Sequence, residues 1–218
     1  MGEQGKVKQR AILVGAAVGS IPLERIHLNL TEDIIICADG GRKALEALGM
    51  KPDWYVGDND SGGHPDGLPS MLLPPEKDVS DMEMAVEKAL ELGCTELILT
   101  GCTGGRLDHG LANLGLLEQI HAQGASALLL DEANEVRFLT PGRYAIENAP
   151  CYHYIGLIPL DAKLSAVSLH GVKYPLHGAY LYRGSTRSIS NEILPGETAV
   201  IEIGAGCALL VRSQPENC

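Results

Sequence analysis

The chain is short of aromatic and basic residues, and each shortage excludes a class of function. Seven Tyr, one Trp and one Phe are its only aromatic residues of this kind among 218, so a platform for stacking nucleic-acid bases is not expected. Lys and Arg number 17 against 28 Asp and Glu, which gives a net charge of −11. Nucleic acid is therefore a poor partner, because its binding depends on a basic surface. A cationic small molecule suits such an acidic chain better.

Long apolar runs and paired cysteines are also missing. No stretch approaches the ~20 apolar residues that a membrane span needs, so we expect no membrane partner. None of the six cysteines forms a C-x-x-C pair, which disfavours a zinc site. Reduced cysteines in a cytoplasmic protein are the simplest interpretation.

The first apolar run admits two interpretations. Lys6, Lys8 and Arg10 precede the apolar residues 11–18, and basic residues in that position resemble the start of a short signal peptide. The run is short and is interrupted by glycine. It therefore fits better as the first buried strand of an α/β sheet, ending in a turn.

Periodicity divides the chain into two regions. Over residues 1–133 short apolar runs alternate with helical patterns, which is typical of a mostly parallel sheet with helices on both faces. The first predicted strand lies in the run 11–18 and ends in a turn at residues 15–20, and the others lie at 34–38, 54–56, 97–100 and 127–130. The predicted helices lie at 40–48, 80–93 and 107–121. Over residues 134–218 short runs are separated by Gly and Pro turns, which predicts an all-β sandwich. The fold class is thus α/β, a Rossmann-like domain followed by a β-sandwich domain.

Two of the predicted helices carry more detailed signals. Ser80 and Glu83 have the spacing of a capping box, so Ser80 is expected to begin a helix. In the helix at 107–121, an apolar stripe is expected from Leu111, Leu114, Leu117 and Ile120.

Two familiar phosphate-binding signatures are absent. Gly15 and Gly19 do not complete a G-x-G-x-x-G motif, and the chain has no G-x-x-x-x-G-K-[ST]. Neither a dinucleotide fingerprint nor a P-loop is therefore available to hold a phosphate.

Acidic residues instead follow two of the predicted strands. Asp39 comes directly after the strand at 34–38, and Asp58 and Asp60 come after the strand at 54–56. Two aspartates two residues apart in extended backbone share one face, with Cα atoms roughly 6–7 Å apart, so they can share a magnesium ion. A surface turn rich in Asp, Asn, Ser and Gly is the alternative.

Residues 77–81 add a lysine and two more acids at a helix start. Asp81 is favoured there by the helix dipole alone. Lys77 and Asp78 have no such structural reason, and a lysine beside carboxylates can neutralise phosphate charge. Carboxylates repel phosphate unless a divalent cation lies between them. The pattern therefore favours Mg²⁺ with a polyphosphate, and phosphoryl or pyrophosphoryl transfer.

A double glycine opens the next helix. Gly104 and Gly105 precede Arg106, and Asp108 and His109 lie in the first helical turn. Successive glycine amides at a helix N-terminus form a concavity that binds anions, and an arginine can grip phosphate with two parallel hydrogen bonds. A helix cap with an exposed arginine is the structural alternative.

Taken in order, these motifs resemble the thiamine pyrophosphokinase family. The matching segments are Ala38-Asp39-Gly40-Gly41, Pro52-Asp53, Gly57-Asp58-x-Asp60-Ser61, Lys77-Asp78-x-Ser80-Asp81-x-Glu83, Gly104-Gly105-Arg106-x-Asp108-His109 with Asn113, Gly171-x-Lys173-Tyr174-Pro175-Leu176 and Ser190-Asn191-Glu192. The resemblance implies an α/β domain over residues 1–133 that binds ATP and Mg²⁺, and a β-sandwich over 134–218 that binds thiamine and dimerises. It also implies a homodimer with interfacial active sites, in which Mg-ATP pyrophosphorylates thiamine and AMP is released.

The resemblance also implies a role for each matching residue. The catalytic residues it implies are Asp58, Asp60, Asp78, Asp81 and Arg106, with Asp58, Asp60 and Asp78 as the metal ligands. The substrate-binding residues it implies are Asp39, Lys77, Gly104, Gly105, Asp108, His109, Asn113, Ser190 and Asn191. Asn59 and Ile193 stand where the family often has an aromatic residue, so a ring that stacks on thiamine has to come from elsewhere, such as a tyrosine.

Two other functions stay open from the sequence. The acceptor could be another hydroxymethyl heterocycle such as a pterin. The chain could also be a non-catalytic protein that senses thiamine or a nucleotide, although a sensor does not need so many carboxylates beside Arg106.

Overall fold

The computed structural model describes residues 9–16, 21–57, 67–72 and 78–215. The chain divides into two units, residues 1–132 and 133–218. The first unit contains β1 (Arg10–Val14), α1 (Leu23–Ile26), β2 (Asp33–Ala38), α2 (Gly41–Ala47), β3 (Trp54–Gly57), β4 (Ser70–Leu72), α3 (Asp81–Glu91), β5 (Glu96–Thr100), α4 (Leu107–Ala122) and β6 (Ser126–Leu130). The sequence did not predict α1 or β4, which are only four and three residues long.

The six strands of the first unit form a parallel sheet. Their order is β4-β3-β2-β1-β5-β6, and every pairing between them is parallel. The chain builds outward from β1 to β4 and then returns to add β5 on the other side of β1. This reversal creates a topological switch point between β1 and β5, and ligands of open α/β sheets bind outside the carboxyl ends of the strands at such a point. The predicted Rossmann-like class is confirmed.

The central strands β1 and β5 are mostly apolar because both faces of the sheet are covered. Ala11, Leu13, Leu97 and Leu99 are fully buried at 0% exposure, as expected for strands between two layers of helices. The helix α3 begins where the capping box predicts, since the Ser80 hydroxyl accepts a hydrogen bond of 3.2 Å from the Glu83 N–H.

The predicted stripe on α4 is partly wrong. Leu117 and Ile120 are buried, but Leu111 is 60% exposed. Residues spaced by three drift around a helix, so Leu111 and Ile120 lie about 180° apart on a helix of 3.6 residues per turn. The buried face instead follows mixed spacings of three and four, with Asn113 and Leu116 beside Leu117 and Ile120.

The second unit is a sandwich of two antiparallel sheets. Its strands are β7 (Asn134–Leu139), β8 (Gly142–Glu147), β9 (Tyr154–Pro159), β10 (Lys163–His170), β11 (Leu176–Tyr182), β12 (Thr198–Ile203) and β13 (Ala208–Ser213). One sheet has the order β7-β13-β9 and the other β11-β10-β12-β8. Leu157 and Leu210 from the first sheet pack in one core with Leu164 and Ile201 from the second, so the predicted sandwich is confirmed. The sequence did not predict β8, an edge strand whose residues are all at least partly exposed.

Glycines allow close backbone contacts at the carboxyl end of β1. A Cβ atom on Gly15 would lie 2.5 Å from the Gly101 carbonyl oxygen, and one on Gly41 would overlap the Val14 carbonyl oxygen. No real Cβ tolerates such contacts, so these positions require glycine. Among the described residues, no helix has both the length and the apolar character needed to cross a membrane.

We expect Gly41→Ala to lower the free energy of unfolding by about 1–3 kcal/mol, because the added methyl group forces backbone apart between α2 and β1. Gly115→Ala in α4 is the matched control, since no neighbouring atom lies within 4 Å of a Cβ there. Alanine in a helix interior is favoured over glycine by ~1 kcal/mol. Urea unfolding followed by circular dichroism measures both variants, and equal stability of the two would contradict the expectation.

Candidate functional site

Backbone and polar groups gather at the carboxyl edge of the parallel sheet in the first unit. Gly15 follows β1, Asp39 follows β2, Gly101 follows β5 and Asp131 follows β6. The Gly15 N–H donates a 2.8 Å hydrogen bond to the Thr100 carbonyl, so the ends of β1 and β5 stay joined at the switch point. Parallel strands end at one edge, and this edge is therefore the candidate site.

Asp39 is held in an unusual conformation with an unpartnered oxygen. Its φ is +44°, in the left-handed region that costs a non-glycine residue about 1–3 kcal/mol. Its N–H donates to the Val56 carbonyl at 2.8 Å, which fixes the turn after β2. The Oδ1 atom is buried and accepts no hydrogen bond. A buried carboxylate oxygen without a donor is a site that a cation would stabilise.

The segment 101–105 between β5 and α4, which we call the glycine loop, is shaped by left-handed glycines. Gly101 has a φ of +62° and Gly104 a φ of +84°. Gly104 and Gly105 are exposed, and nothing lies within 4 Å of a Cβ built on Gly105. The loop thus presents two glycines to an incoming ligand immediately before the N-terminus of α4, an arrangement that binds anions.

Two side chains outside the glycine loop hold it. The Asn113 side chain, buried on α4, donates a 2.9 Å hydrogen bond to the Cys102 carbonyl. The Thr103 hydroxyl donates a 2.6 Å hydrogen bond to Asp131. The sequence interpretation missed Thr103 and Asp131. Asp131 follows an apolar strand as Asp39 does, and that shared position is the signal that could have found it.

Arg106 and Asp108 form an exposed, two-pronged ion pair at the start of α4. The Arg106 Nε and Nη2 atoms lie 3.1 and 2.5 Å from the two Asp108 carboxylate oxygens. This hydrogen-bonded pairing lowers the pKa of Asp108 and raises the pKa of Arg106. The same carboxylate also accepts the His109 N–H at 3.0 Å. Asp108 therefore orients the guanidinium that was predicted to bind phosphate.

The predicted metal cluster is only partly visible. Asp78 is exposed and Asp81 is the first residue of α3, so both lie at the start of a helix that follows β4. Asp58, Asp60 and Lys77 lie outside the described residues. Among the described residues, no three His, Cys, Asp or Glu side chains gather as a metal site, and the cluster stays a prediction.

The thiols near this edge are not nucleophiles. Burial raises the pKa of Cys37 and of Cys102 to about 12. Both therefore stay protonated at neutral pH and act as small core side chains.

The first unit also has a groove of about 590 Å³, but it lies elsewhere. Its lining includes Glu91, Thr95 and Gln123, which lie at the end of α3, before β5 and after α4. These positions are at the amino edge of the sheet, opposite the carboxyl ends of the strands. None of the sequence motifs contributes to this groove, so it is not the candidate site.

In the second unit, Asn191 holds the backbone of Tyr174 from both sides. Its Oδ1 accepts the Tyr174 N–H at 2.9 Å, and its Nδ2 donates to the Tyr174 carbonyl at 2.9 Å. Asn191 is only 3% exposed, whereas the Tyr174 side chain is 59% exposed. The neighbouring Ser190 is exposed, with a φ of +55°. Of the two predicted thiamine-binding residues, Asn191 thus holds the backbone that presents the Tyr174 ring, and Ser190 lies exposed next to Asn191 in the chain.

Charged groups accompany this ring. Lys173 Nζ lies 2.7 Å from Glu192 and 5.6 Å from the centre of the Tyr174 ring. The hydrogen bond between them raises the pKa of Lys173 and lowers the pKa of Glu192. The region thus combines an exposed ring, a hydroxyl and a carboxylate that is paired with a lysine, and the ring is the group suited to a cationic heterocycle.

Comparisons with known proteins agree across both units. A family model described as "Thiamin pyrophosphokinase, catalytic domain" matches residues 27–129, and one described as "Thiamin pyrophosphokinase, vitamin B1 binding domain" matches residues 143–208. The thiamine pyrophosphokinase of Bacillus subtilis is 34% identical over 185 residues, which cover 82% of this chain and 86% of that protein. The chain belongs to the thiamine pyrophosphokinase family.

Solved structures of the family have the same fold. The Bacillus subtilis thiamine pyrophosphokinase crystal structure superposes with a TM-score of 0.85 at 27% identity, covering 94% of this chain and 99% of that one. The Geobacillus thermodenitrificans structure superposes with a TM-score of 0.83 at 29% identity, covering 96% and 99%. The family resemblance stated from the motifs is thus confirmed, and so is the fold class.

Arg106→Gln should raise the pKa of the Asp108 carboxyl back toward its ordinary value of 3.8. The ion pair lowers the pKa of Asp108 in the native protein. Its stabilising effect is therefore fully present above the ordinary pKa of Asp108, and it is lost as the pH falls through the lowered native pKa. A ¹³C NMR titration of the Asp108 carboxyl measures the change. Arg143→Gln is the control, because Arg143 is also 72% exposed but pairs with Glu202. An unchanged Asp108 titration in Arg106→Gln would show that the pair does not persist in solution.

Asn191→Ala should lower the free energy of unfolding by about 2–4 kcal/mol, because a buried side chain is lost and the part-buried N–H and C=O of Tyr174 both lose their partner. Asn29→Ala is the control, since the Asn29 side chain also accepts hydrogen bonds but is exposed. Its cost should stay below about 1 kcal/mol. Denaturant titration measures both, and a similar loss in the two variants would exclude the role of burial.

Proposed function

We propose that the chain transfers the pyrophosphoryl group of ATP to the hydroxyl of thiamine at the carboxyl edge of the first unit's sheet. Membership of the family makes the chain a thiamine diphosphokinase, which forms thiamine diphosphate with ATP as co-substrate. The observation that carries the assignment is the match of both units, in order, to the catalytic and vitamin B1 binding models. A pterin acceptor and a non-catalytic sensor are not favoured by these matches.

The residues at the sheet edge fit a magnesium ion. Asp39 supports this fit, because its buried Oδ1 has no hydrogen-bond donor. A carboxylate oxygen is the hard ligand that Mg²⁺ prefers. Asp39 would hold the ion together with the predicted ligands Asp58, Asp60 and Asp78, with Asp81 nearby. When bound, Mg²⁺ neutralises the charge of the triphosphate and polarises the phosphorus that is attacked.

The glycine loop and α4 bind the transferring phosphates in this proposal. The amides of Gly104 and Gly105 and the N-terminus of a 16-residue helix supply positive electrostatic potential. The N-cap residue Arg106 makes no side-chain cap on the helix, so its guanidinium remains directed by Asp108. Lys77 adds a second positive charge.

The chemical step is attack of the thiamine hydroxyl on the β-phosphorus, in line with the bond to the AMP leaving group. Phosphoryl transition states are loose, so positioning and electrostatics supply most of the rate enhancement. The residues of the chain therefore act by holding two substrates in line and by stabilising charge on the transferring group. A strong general base is not required.

The second unit supplies the groups that hold thiamine. Ser190 offers a hydroxyl, and Asn191 acts through its clamp on Tyr174. The exposed ring of Tyr174 is the aromatic surface that the sequence left unassigned. The Glu192 carboxylate is already paired with Lys173, so the face of the Tyr174 ring is the group that favours the positive charge of the thiazolium ring.

We also propose a cytoplasmic homodimer with active sites at the subunit interface, as the family resemblance implies. The exposed leucines Leu107 and Leu111 on α4, at 75% and 60% exposure, support self-association. No disulfide joins the cysteines that the structure describes, in keeping with a reducing compartment. The net charge of −11 disfavours a nucleic-acid partner.

AMP release from ATP should depend on both thiamine and Mg²⁺. Asp39→Asn should reduce kcat by about 10²–10³-fold, because the loss of a charged ligand weakens Mg²⁺ binding and with it the electrostatic stabilisation of the transferring group. Glu118→Gln on the exposed face of α4 removes the same charge and should keep wild-type turnover. A coupled assay of AMP, run with thiamine and with a hydroxymethylpterin, measures this. Thiamine-independent AMP release, or a higher rate with the pterin, would reject the proposed reaction. Normal turnover in Asp39→Asn would reject the metal role of Asp39.

A further inference from the structure

The glycine loop is fixed at two consecutive residues by side chains from two different elements. Asn113 on α4 holds the Cys102 carbonyl at 2.9 Å. Thr103 donates its hydroxyl to Asp131 at 2.6 Å. The next two residues, Gly104 and Gly105, are exposed. The loop is therefore held by side chains up to Thr103 and is open to solvent from Gly104 onward.

The backbone at Asp131 is held in place on both sides. It directly follows β6, which pairs with β5 in parallel register from Glu96 to Leu99. Arg25 Nη1 donates to the Asp131 carbonyl at 2.9 Å and to the Glu132 carbonyl at 2.8 Å. The backbone that carries the carboxylate is therefore tied both to the sheet and to α1.

The contact between Thr103 and Asp131 is a charge-assisted hydrogen bond. A hydroxyl that donates to a carboxylate forms a short, charge-assisted hydrogen bond, roughly twice as strong as a neutral one. The contact is also partly buried. Burial is the main cause of the raised pKa of the Cys102 thiol, and the negative charge of the nearby Asp131 is the second cause.

We propose that Thr103 and Asp131 are positioning residues that hold the Gly104 and Gly105 amides in the geometry that receives the triphosphate. This inference rests on the proposed function, because it assigns the anion at the glycine loop to ATP. Neither side chain touches the reacting atoms. They act through the loop backbone, which has left-handed glycines on both sides of Thr103 and would otherwise lose much entropy on binding.

A purely structural role does not account for this contact. The fold around the loop is stabilised by fully buried leucines of β5 and α4, such as Leu97, Leu99 and Leu117. Thr103 is outside this core and only partly buried. Removing its hydroxyl should therefore weaken nucleotide binding much more than it weakens the fold.

The test compares Thr103→Val, which keeps the shape and removes the donor, with Thr103→Ser, which restores the hydroxyl. In the full-length protein, Thr103→Val should lower kcat/KM for ATP by about tenfold, the loss expected for one charge-assisted hydrogen bond. The KM for thiamine should stay unchanged, and Thr103→Ser should recover the wild-type value. Thr198→Val, at an exposed strand position in the second unit, is the matched control and should behave as wild type.

A second measurement separates this inference from the proposed reaction. Titration calorimetry with Mg²⁺ and a non-hydrolysable ATP analogue should give weaker binding for Thr103→Val, and intermediate binding for Asp131→Asn, which keeps an acceptor oxygen without the charge. Thermal unfolding of each variant shows that the fold is intact. Wild-type affinity in Thr103→Val would overturn the inference even if the enzyme is active. Absence of thiamine-dependent AMP release from the wild-type chain would instead overturn the proposed function, and the binding result would still decide the role of Thr103.

Discussion

The site depends on the close approach of two backbones at the switch point of the parallel sheet. Gly15 donates to Thr100 at 2.8 Å, and any Cβ on Gly15 or Gly101 would lie 2.5 Å from the carbonyl oxygen of the other. Because no side chains separate the ends of β1 and β5, the ligand can approach the backbone directly. The glycine loop then leaves this junction with its first residue already in the left-handed region.

Two buried polar groups without hydrogen-bond partners lie beside this junction. The Thr100 hydroxyl and Asp39 Oδ1 are both buried without a hydrogen-bond partner, and each such group costs stability in a closed fold. Most residues of the strands β1, β2 and β5 are buried, and the stability gained from their packing can offset that cost. Unsatisfied groups concentrated at one sheet edge indicate a function there rather than a flaw in packing.

The sequence was sufficient for the fold class and the family because these rest on strong, local signals. Apolar runs fix the strands, and the Ser80 hydroxyl caps α3 as its spacing predicts. The stripe on α4 failed at Leu111 because spacing by three was not corrected for 3.6 residues per turn. The Thr103–Asp131 contact could not be predicted, because it joins residues 28 apart and depends on which strands are neighbours in the sheet.

The two asparagines in the family motifs show why residue type can matter without substrate contact. Asn113 donates to the glycine loop, and Asn191 both donates to and accepts from the backbone of one residue, Tyr174. An amide carries a donor and an acceptor on one planar group, so it can satisfy an N–H and a C=O of the same residue. A carboxylate of the same shape offers no donor and would leave the Tyr174 carbonyl unpaired. The geometry of the backbone alone therefore accounts for the amide at Asn191, and what the amide fixes is the position of the Tyr174 ring.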